Sequence, residues 1–181
     1  MLQWIVINVR EEALLMLDNR GAILETAREI SLLLEARKLR GAVIGGVAVV
    51  LHGHVRTTKD VDVYVAAPKE AHDALVASGF RFDKGRSEFN RDGIPVQLVT
   101  DQLLDPPPGR FVRLEQITTV SLIDLINIKL RSGLSSIARA QDIADVIGLV
   151  KHHQLTGAFA SRIDKRFRQD FRKLLKALRS P

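Results

Sequence analysis

The chain is organised around the stretch VIGGVAVVLHGHVRTTKDVDVYVAA, residues 43–67. It begins with a short apolar run that ends in Gly45-Gly46, and a helix-compatible segment and a polar loop follow. It closes with Asp-Val-Asp-Val-Tyr-Val, residues 60–65, in which valines alternate with acidic or aromatic residues. Alternation with period two, rich in Val and Tyr, predicts a half-buried strand. Because residues i and i+2 of a strand project from the same face, Asp60 and Asp62 are predicted to lie side by side.

Two carboxylates on one strand face repel each other, and a bound cation is a common compensation. Carboxylate oxygens suit Mg²⁺, which takes one or two protein carboxylates and completes its shell with substrate phosphates. Gly45-Gly46 lies where a strand gives way to a helix, so backbone there can approach a ligand closely and offer N–H groups to an anion. These residue types indicate a site for a metal and a phosphate. The alternative is a plain glycine turn beside a solvated pair of aspartates.

The order of these residues resembles the signature of the DNA polymerase β-type nucleotidyltransferase superfamily. The resemblance is to its minimal nucleotidyltransferases and to the nucleotidyltransferase-like toxins of abortive-infection systems. It covers residues 43–65 and extends more weakly to about residue 150. The residues that carry it form the pattern Gly45-Gly46-x-Ala48, Leu51-His52-Gly53 and Arg56-x-Thr58-x-Asp60-x-Asp62.

The resemblance implies a Mg²⁺-dependent enzyme that moves a nucleoside monophosphate from an NTP such as ATP to a hydroxyl acceptor, which stays unidentified. It implies that Asp60 and Asp62 bind the metal. It also implies nucleotide-binding roles that fall on Gly45, Gly46, Arg56, Thr58 and Lys129. Lys129 has the alternative of an ordinary helix-surface lysine, and Asp142 and Asp145 are interpreted as salt-bridge partners. His52 is interpreted as packing or bracing a loop, since imidazole is a poor ligand for Mg²⁺.

The superfamily places a third carboxylate on a neighbouring strand, predicted here as residues 94–100. If Val96 and Leu98 face the core, the residue that faces the site is Gln97, which is neutral and a poorer Mg²⁺ ligand than a carboxylate. Asp101, Asp92 and Glu88 are alternative third ligands. Because Gln97 stands where the superfamily has a carboxylate, a second hypothesis stays open. In it the protein is a catalytically reduced module that binds nucleotide, RNA or a protein partner.

Composition sets outer limits on these hypotheses. The chain has 181 residues, of which 46% are hydrophobic, and no cysteine, so disulfides and thiolate metal sites are excluded. No apolar run is long enough to span a bilayer, and the N-terminus lacks the basic region of a signal peptide. We therefore expect a cytoplasmic protein without a membrane partner.

The net charge of +6 is concentrated in one segment, residues 162–179, which carries eight basic residues and two acidic ones. The rest of the chain is neutral, and a local excess is more informative than a diffuse one. This segment is predicted to belong to a terminal helix, residues 158–178. Three interpretations stay open: an RNA or tRNA backbone contact, an acidic protein partner, or a solvated helix that packs through Phe167, Phe171, Leu174, Leu175 and Leu178.

The predicted fold class is α+β: a small mixed sheet flanked by helices, with a helical C-terminal part. We expect a core over residues 1–118 and a helical part over residues 119–181 packed on it. Residues 1–20 are ambiguous between strand and helix. The other predicted helices are 21–40, 47–52, 68–78, 122–131 (ended by Gly133) and 138–153, and the other predicted strands are 42–44, 80–84, 86–91 and 111–115.

Overall fold

A seven-stranded sheet with helices on both faces makes up the described part of the chain, residues 21–179 of this computed structural model. The residues predicted as ambiguous, 1–20, lie outside that part. The helices are α1 (Ala22–Ala36), α2 (Gly45–Leu51), α3 (Pro68–Ala77), α4 (Leu122–Ser135), α5 (Ala140–His152) and α6 (Arg168–Arg179). The strands are β1 (Gly41–Ile44), β2 (Val61–Val65), β3 (Arg81–Asp83), β4 (Glu88–Arg91), β5 (Ile94–Val99), β6 (Phe111–Leu114) and β7 (Ile117–Val120).

The sheet is mixed, with the spatial order β3-β4-β5-β2-β1-β7-β6. The central strands β1 and β2 are antiparallel, while β5 runs parallel to β2 and β7 runs parallel to β1. Tight hairpins join β3 to β4, β4 to β5 and β6 to β7. This mixed sheet with flanking helices confirms the predicted α+β class.

Each face of the sheet is covered by a different set of helices. Alternating valines of the central strands face α1 and α3 and form one apolar cluster with them. The opposite face carries Ile44 and Tyr64, which join a second cluster with α4, α5 and α6. Asp62 is the cross-strand partner of Ile44 and lies two residues before Tyr64 on the same strand, so it belongs to the face covered by the C-terminal helices. The side chain of Asp62 therefore lies on the side of the sheet where α4, α5 and α6 pack.

The predicted strand over residues 111–115 is confirmed as β6, but it is not the last one, because a second strand, β7, follows it and inserts beside β1. The connection is the pair Glu115-Gln116, with φ angles of 46° and 66°. Two consecutive positive φ values are typical of the tightest hairpin turn, which usually contains Asn or Gly. Neither residue is a turn former, so the sequence carries no signal for this hairpin.

Two helix predictions in the C-terminal part also need correction. Gly133 does not end α4, which continues to Ser135. A Cβ at Gly133 would lie 2.6 Å from the Ile143 side chain, so this glycine allows α4 and α5 to approach each other closely. The terminal helix begins at Arg168 rather than residue 158, after two short 3₁₀ turns, Gly157–Ser161 and Lys165–Phe167.

The terminal helix packs on the protein through the apolar side chains that the third interpretation named. Phe171 is fully buried and Leu175 is 6% exposed, both in the second apolar cluster. Three further side chains, Phe167, Leu174 and Leu178, pack against that cluster.

The division into a core and a helical part at residue 118 stays a prediction. None of the helices in residues 21–179 is long and apolar enough to cross a lipid bilayer.

Candidate functional site

The candidate site lies where β1 passes into α2, beside the start of β2 and the middle of β5. In the sheet register Ile44 pairs with Asp62, and Asp62 pairs with Gln97. The chain turns directly from β1 into α2 at Gly45. The strand parity predicted from the sequence therefore brings Asp62, Gln97 and Gly45 together. Asp60 precedes β2 rather than lying on it.

Gly45 is a position that only glycine fits. Its φ is +65°, a left-handed conformation, and a Cβ built on it would overlap the Asp62 carboxylate at Oδ2. At Gly46 an added Cβ would instead meet Thr58, and it would lie 3.2 Å from Arg56 Nη1. The two glycines thus separate two sets of side chains, with Asp62 on one side and the Arg56 loop on the other.

The Asp62 carboxylate has no hydrogen bond or ion pair within residues 21–179. Burial raises its pKa to about 6, and repulsion from Asp60 adds to this effect, while Lys129 and Arg139 oppose it. Asp60 Oδ1 accepts a hydrogen bond of 3.1 Å from the Thr58 hydroxyl. Asp62 is therefore a partly buried carboxylate that lacks a compensating partner.

A cleft of about 400 Å³ opens above Asp62, between β5 and the C-terminal helices. Its walls combine polar and charged side chains with aliphatic ones. The lining residues are Ile44, Gly45, Asp62, Gln97, Val99, Leu103, Leu104, Ile128, Lys129, Arg131, Ser132, Ser135, Arg139 and Asp142. Arg56, Thr58 and Asp60 are not among them. The structure thus brings some predicted site residues to the cleft and leaves others outside its lining.

Lys129 is buried in α4, with a side chain only 7% exposed, so it is not a surface lysine. Its amine pairs with Asp142 Oδ1 at 2.6 Å and with Asp145 Oδ2 at 2.8 Å. The hydrogen bond from Lys129 lowers the pKa of Asp142 against the opposing effect of burial. The prediction that Asp142 and Asp145 are salt-bridge partners is confirmed.

Arg56 and Thr58 hold the loop that enters β2. Arg56 Nη1 donates to Asp145 Oδ2 at 3.0 Å, and its Nε donates to the Thr57 carbonyl. Thr58 is buried at 7% exposure and donates to Asp60. The loop is also fixed at its beginning, because a His52 ring nitrogen lies 2.9 Å from the Val120 carbonyl oxygen. This contact confirms the interpretation of His52 as a loop brace.

The alternative third ligands are all occupied elsewhere. Asp101 Oδ1 accepts a hydrogen bond of 2.6 Å from the Tyr64 hydroxyl. Glu88 pairs with Arg86 and Asp92 pairs with Arg91. None of the three acids lines the cleft. Gln97 is therefore the β5 residue beside Asp62, with an exposed side chain.

Sequence reasoning missed Arg139. It ends the short 3₁₀ turn before α5, lines the cleft, and is close enough to Asp62 and Asp142 to lower the pKa of both. Its guanidinium makes no hydrogen bond or ion pair to any residue in the range 21–179. The available signal was its spacing, three residues before Asp142 at the start of a helix.

The residues present fit a magnesium ion without forming a full protein cage. Among residues 21–179, no group of three or more His, Cys, Asp or Glu side chains is arranged to hold a metal ion. Mg²⁺ nevertheless needs only one or two protein carboxylates when water and phosphate complete its shell. Asp62 offers an unpartnered carboxylate, and Asp60 is close enough for its charge to raise the pKa of Asp62, so the two residues can supply this number of ligands.

Solved structures define the class of fold. An antigenic nucleotidyltransferase-like protein from Paracoccidioides brasiliensis matches with a TM-score of 0.52 and 18% identity, over 70% of this chain and 74% of that one. ANT(2″)-Ia, solved in complex with adenylyl-2″-tobramycin, matches with a TM-score of 0.58 and 14% identity, over 82% of this chain and 96% of that one. At these identities the likeness shows a nucleotidyltransferase-like fold alone.

The sequence profile of one family, described as nucleotidyltransferase of unknown function (DUF6036), matches residues 21–155. The chain therefore belongs to this nucleotidyltransferase family, within the superfamily that the Gly-Gly and Asp-x-Asp motifs resemble. No curated protein matches the sequence at a significant level.

Proposed function

We propose that the protein is a Mg²⁺-dependent nucleotidyltransferase that moves a nucleoside monophosphate from an NTP to a hydroxyl acceptor. The observation that carries the proposal is the unpartnered Asp62 carboxylate, which lies against Gly45 at the floor of the cleft. In the reaction, the acceptor oxygen bonds to the α-phosphorus as the bond to the β-phosphate oxygen breaks. The hydroxyl proton passes to solvent water and pyrophosphate leaves.

Each residue of the site has a role in this proposal. Asp60 and Asp62 hold the metal, which when bound offsets the triphosphate charge and lowers the pKa of the attacking hydroxyl. Gly45 and Gly46 leave room for the triphosphate, since neither has a side chain to obstruct it. Arg56, Thr58, Lys129 and Arg139 position or contact phosphate oxygens.

Gln97 supports a second candidate function, a catalytically reduced module that binds nucleotide. It pairs with Asp62 in the register where the superfamily is expected to carry an acid. A neutral amide gives a metal one carbonyl oxygen and no charge. In this alternative NTP still binds, but the acceptor hydroxyl is poorly deprotonated.

RNA is the acceptor that the surface charge favours. Exposed cations follow the C-terminal segment, namely Arg162, Lys165, Arg166, Arg172, Lys173 and Lys176. Arg166 and Arg131 both donate to the Asp105 carbonyl oxygen, at 2.8 and 2.6 Å, and Arg131 also lines the cleft. The shared Asp105 oxygen thus links one cation of the C-terminal segment to the edge of the cleft, which supports an acceptor with a phosphate backbone.

A salt titration tests the RNA surface. Neutralising Lys165, Arg172 and Lys173 is expected to weaken RNA binding and to reduce the slope of log K against log salt, because fewer counterions are released. The control neutralises Lys69 and Lys84, which are exposed on α3 and beside β3, away from the C-terminal helices. An equal loss in both variants would contradict the RNA surface.

A label-transfer assay tests the proposed activity. The protein is incubated with Mg²⁺, each of the four NTPs labelled at the α-phosphate, and total RNA, protein or small molecules from a cell extract. We expect label in one acceptor fraction and release of pyrophosphate, both lost with Asp62→Ala. NTP binding without transfer in any fraction would support the reduced module instead.

A further inference from the structure

Asp145 is a fully buried carboxylate, and one of its oxygens forms ion pairs with two different cations. Its exposure is 0%. Arg56 Nη1 lies 3.0 Å and Lys129 Nζ lies 2.8 Å from the same atom, Oδ2. The other oxygen, Oδ1, accepts a hydrogen bond of 3.1 Å from the Gln141 side-chain amide. Both oxygens are therefore engaged, and the orientation of the carboxylate is fixed.

The two cations belong to different elements, and both contact the same oxygen of Asp145. Arg56 belongs to the loop between α2 and β2, Lys129 to α4, and Asp145 to α5. The Arg56 guanidinium lies against Gly46, because a Cβ there would be 3.2 Å from its Nη1. Lys129 lines the cleft, and its charge opposes the rise in the pKa of Asp62 that burial causes. One carboxylate thus fixes a cation on each side of the glycine turn.

Without this carboxylate the two cations would repel each other at short range in a partly buried setting. Lys129 would keep Asp142, which lies 2.6 Å away, but Arg56 would have no carboxylate within the residues described. Arg56 is 20% exposed, so its side chain could then turn into solvent. The position of Arg56 depends on Asp145 far more than that of Lys129 does.

We propose that Asp145 is a positioning residue for nucleotide binding, which acts through Arg56 to present a guanidinium to the triphosphate at the Gly45-Gly46 turn. The inference rests on the proposed function. It makes one distinctive statement: Asp145 influences nucleotide affinity only while Arg56 is present. A purely structural buried charge would affect the nucleotide in either background.

A double-mutant cycle tests this statement, with inorganic tripolyphosphate and MgATP as probes in calorimetry. Asp145→Asn is expected to weaken binding of both probes at least tenfold. In the Arg56→Ala background, Asp145→Asn should weaken binding of each probe by an additional factor of less than two. Glu35→Gln is the matched control, since it removes an ion pair with Arg113 of 2.7 Å on the exposed surface of α1. The control should leave both affinities unchanged.

Gln141→Ala keeps the inference testable if Asp145→Asn does not fold. Gln141 is exposed, and within residues 21–179 its side chain hydrogen-bonds only Asp145. Its removal should weaken MgATP binding two- to fivefold in the Arg56 protein and not at all with Arg56→Ala. Equal losses in the two backgrounds, for either variant, would overturn the inference alone. Absence of tripolyphosphate and MgATP binding by the wild type would overturn the proposed function together with it.

Discussion

At the scale of single residues, the charge of Asp62 sets the energetics of the site. Its folded-state pKa of about 6 lies above the usual 3.8, so the folded protein holds this proton more tightly than the unfolded chain does. The stability that protonated Asp62 contributes is complete below about pH 4 and is lost as the pH rises to about 6. Above that pH the protein carries an uncompensated partly buried charge, which a cation can relieve.

We therefore expect Asp62→Asn to raise the free energy of unfolding at pH 7.5 without metal by roughly 1–3 kcal/mol, since one pKa unit corresponds to about 1.4 kcal/mol. The gain should disappear by about pH 4, and Mg²⁺ should raise the melting temperature of the wild type more than that of the variant. Urea denaturation at several pH values measures this. A gain that does not change with pH would contradict the electrostatic explanation.

Gln97 is the residue whose replacement by an acid we expect to increase the rate of nucleotidyl transfer. It pairs with Asp62, so Gln97→Asp would place a third carboxylate beside Asp60 and Asp62. We expect faster label transfer, or its first appearance, with NTP affinity changed less than threefold. We also expect a lower melting temperature without Mg²⁺, because three clustered acids repel each other. Robust wild-type transfer that Gln97→Asp neither increases nor makes more Mg²⁺-dependent would remove Gln97 from the site.

At the scale of elements, α6 combines an apolar side with a basic one. Phe171 is fully buried beside Phe159, with ring centroids 5.8 Å apart, while Arg172 next to it is exposed. We expect Phe171→Ala to cost about 3–5 kcal/mol of stability, as large-to-small changes in a core do. Arg172→Ala should cost less than about 0.5 kcal/mol. Denaturation curves for the two variants compare them directly, and similar losses would contradict the packing described for this helix.

The elements that the sequence predicts well are those whose signal is local. Alternating valines predict β2, and Asp92-Gly93 predicts the β4–β5 hairpin, because strand faces and tight turns follow from neighbouring residues. β7 was missed, since its turn at Glu115-Gln116 uses residues that tertiary contacts hold at positive φ. Gly133 was misassigned as a helix end, because its role is contact with α5, which is remote in sequence.

At the scale of the whole molecule, the site joins parts of the chain that the sequence presents separately. The Asp-x-Asp motif and Gln97 could be predicted, since both follow from strand parity. The link of Arg56 to Asp145 could not, because residue spacing gives no contact between a loop and a helix 89 positions away. Arg139 was missed although its spacing to Asp142 was visible, because the spacing does not show that the 3₁₀ turn Ile137–Arg139 lies at the cleft.

The central claim is that Asp60 and Asp62 hold a metal that carries the nucleotide. Calorimetric titration of the four NTPs into wild type and the Asp60→Ala/Asp62→Ala double variant, with and without Mg²⁺, tests it most directly. We predict NTP binding by the wild type that is at least tenfold tighter with Mg²⁺, and no effect of Mg²⁺ on the double variant. Wild type and double variant that bind NTP equally in both conditions would contradict the claim.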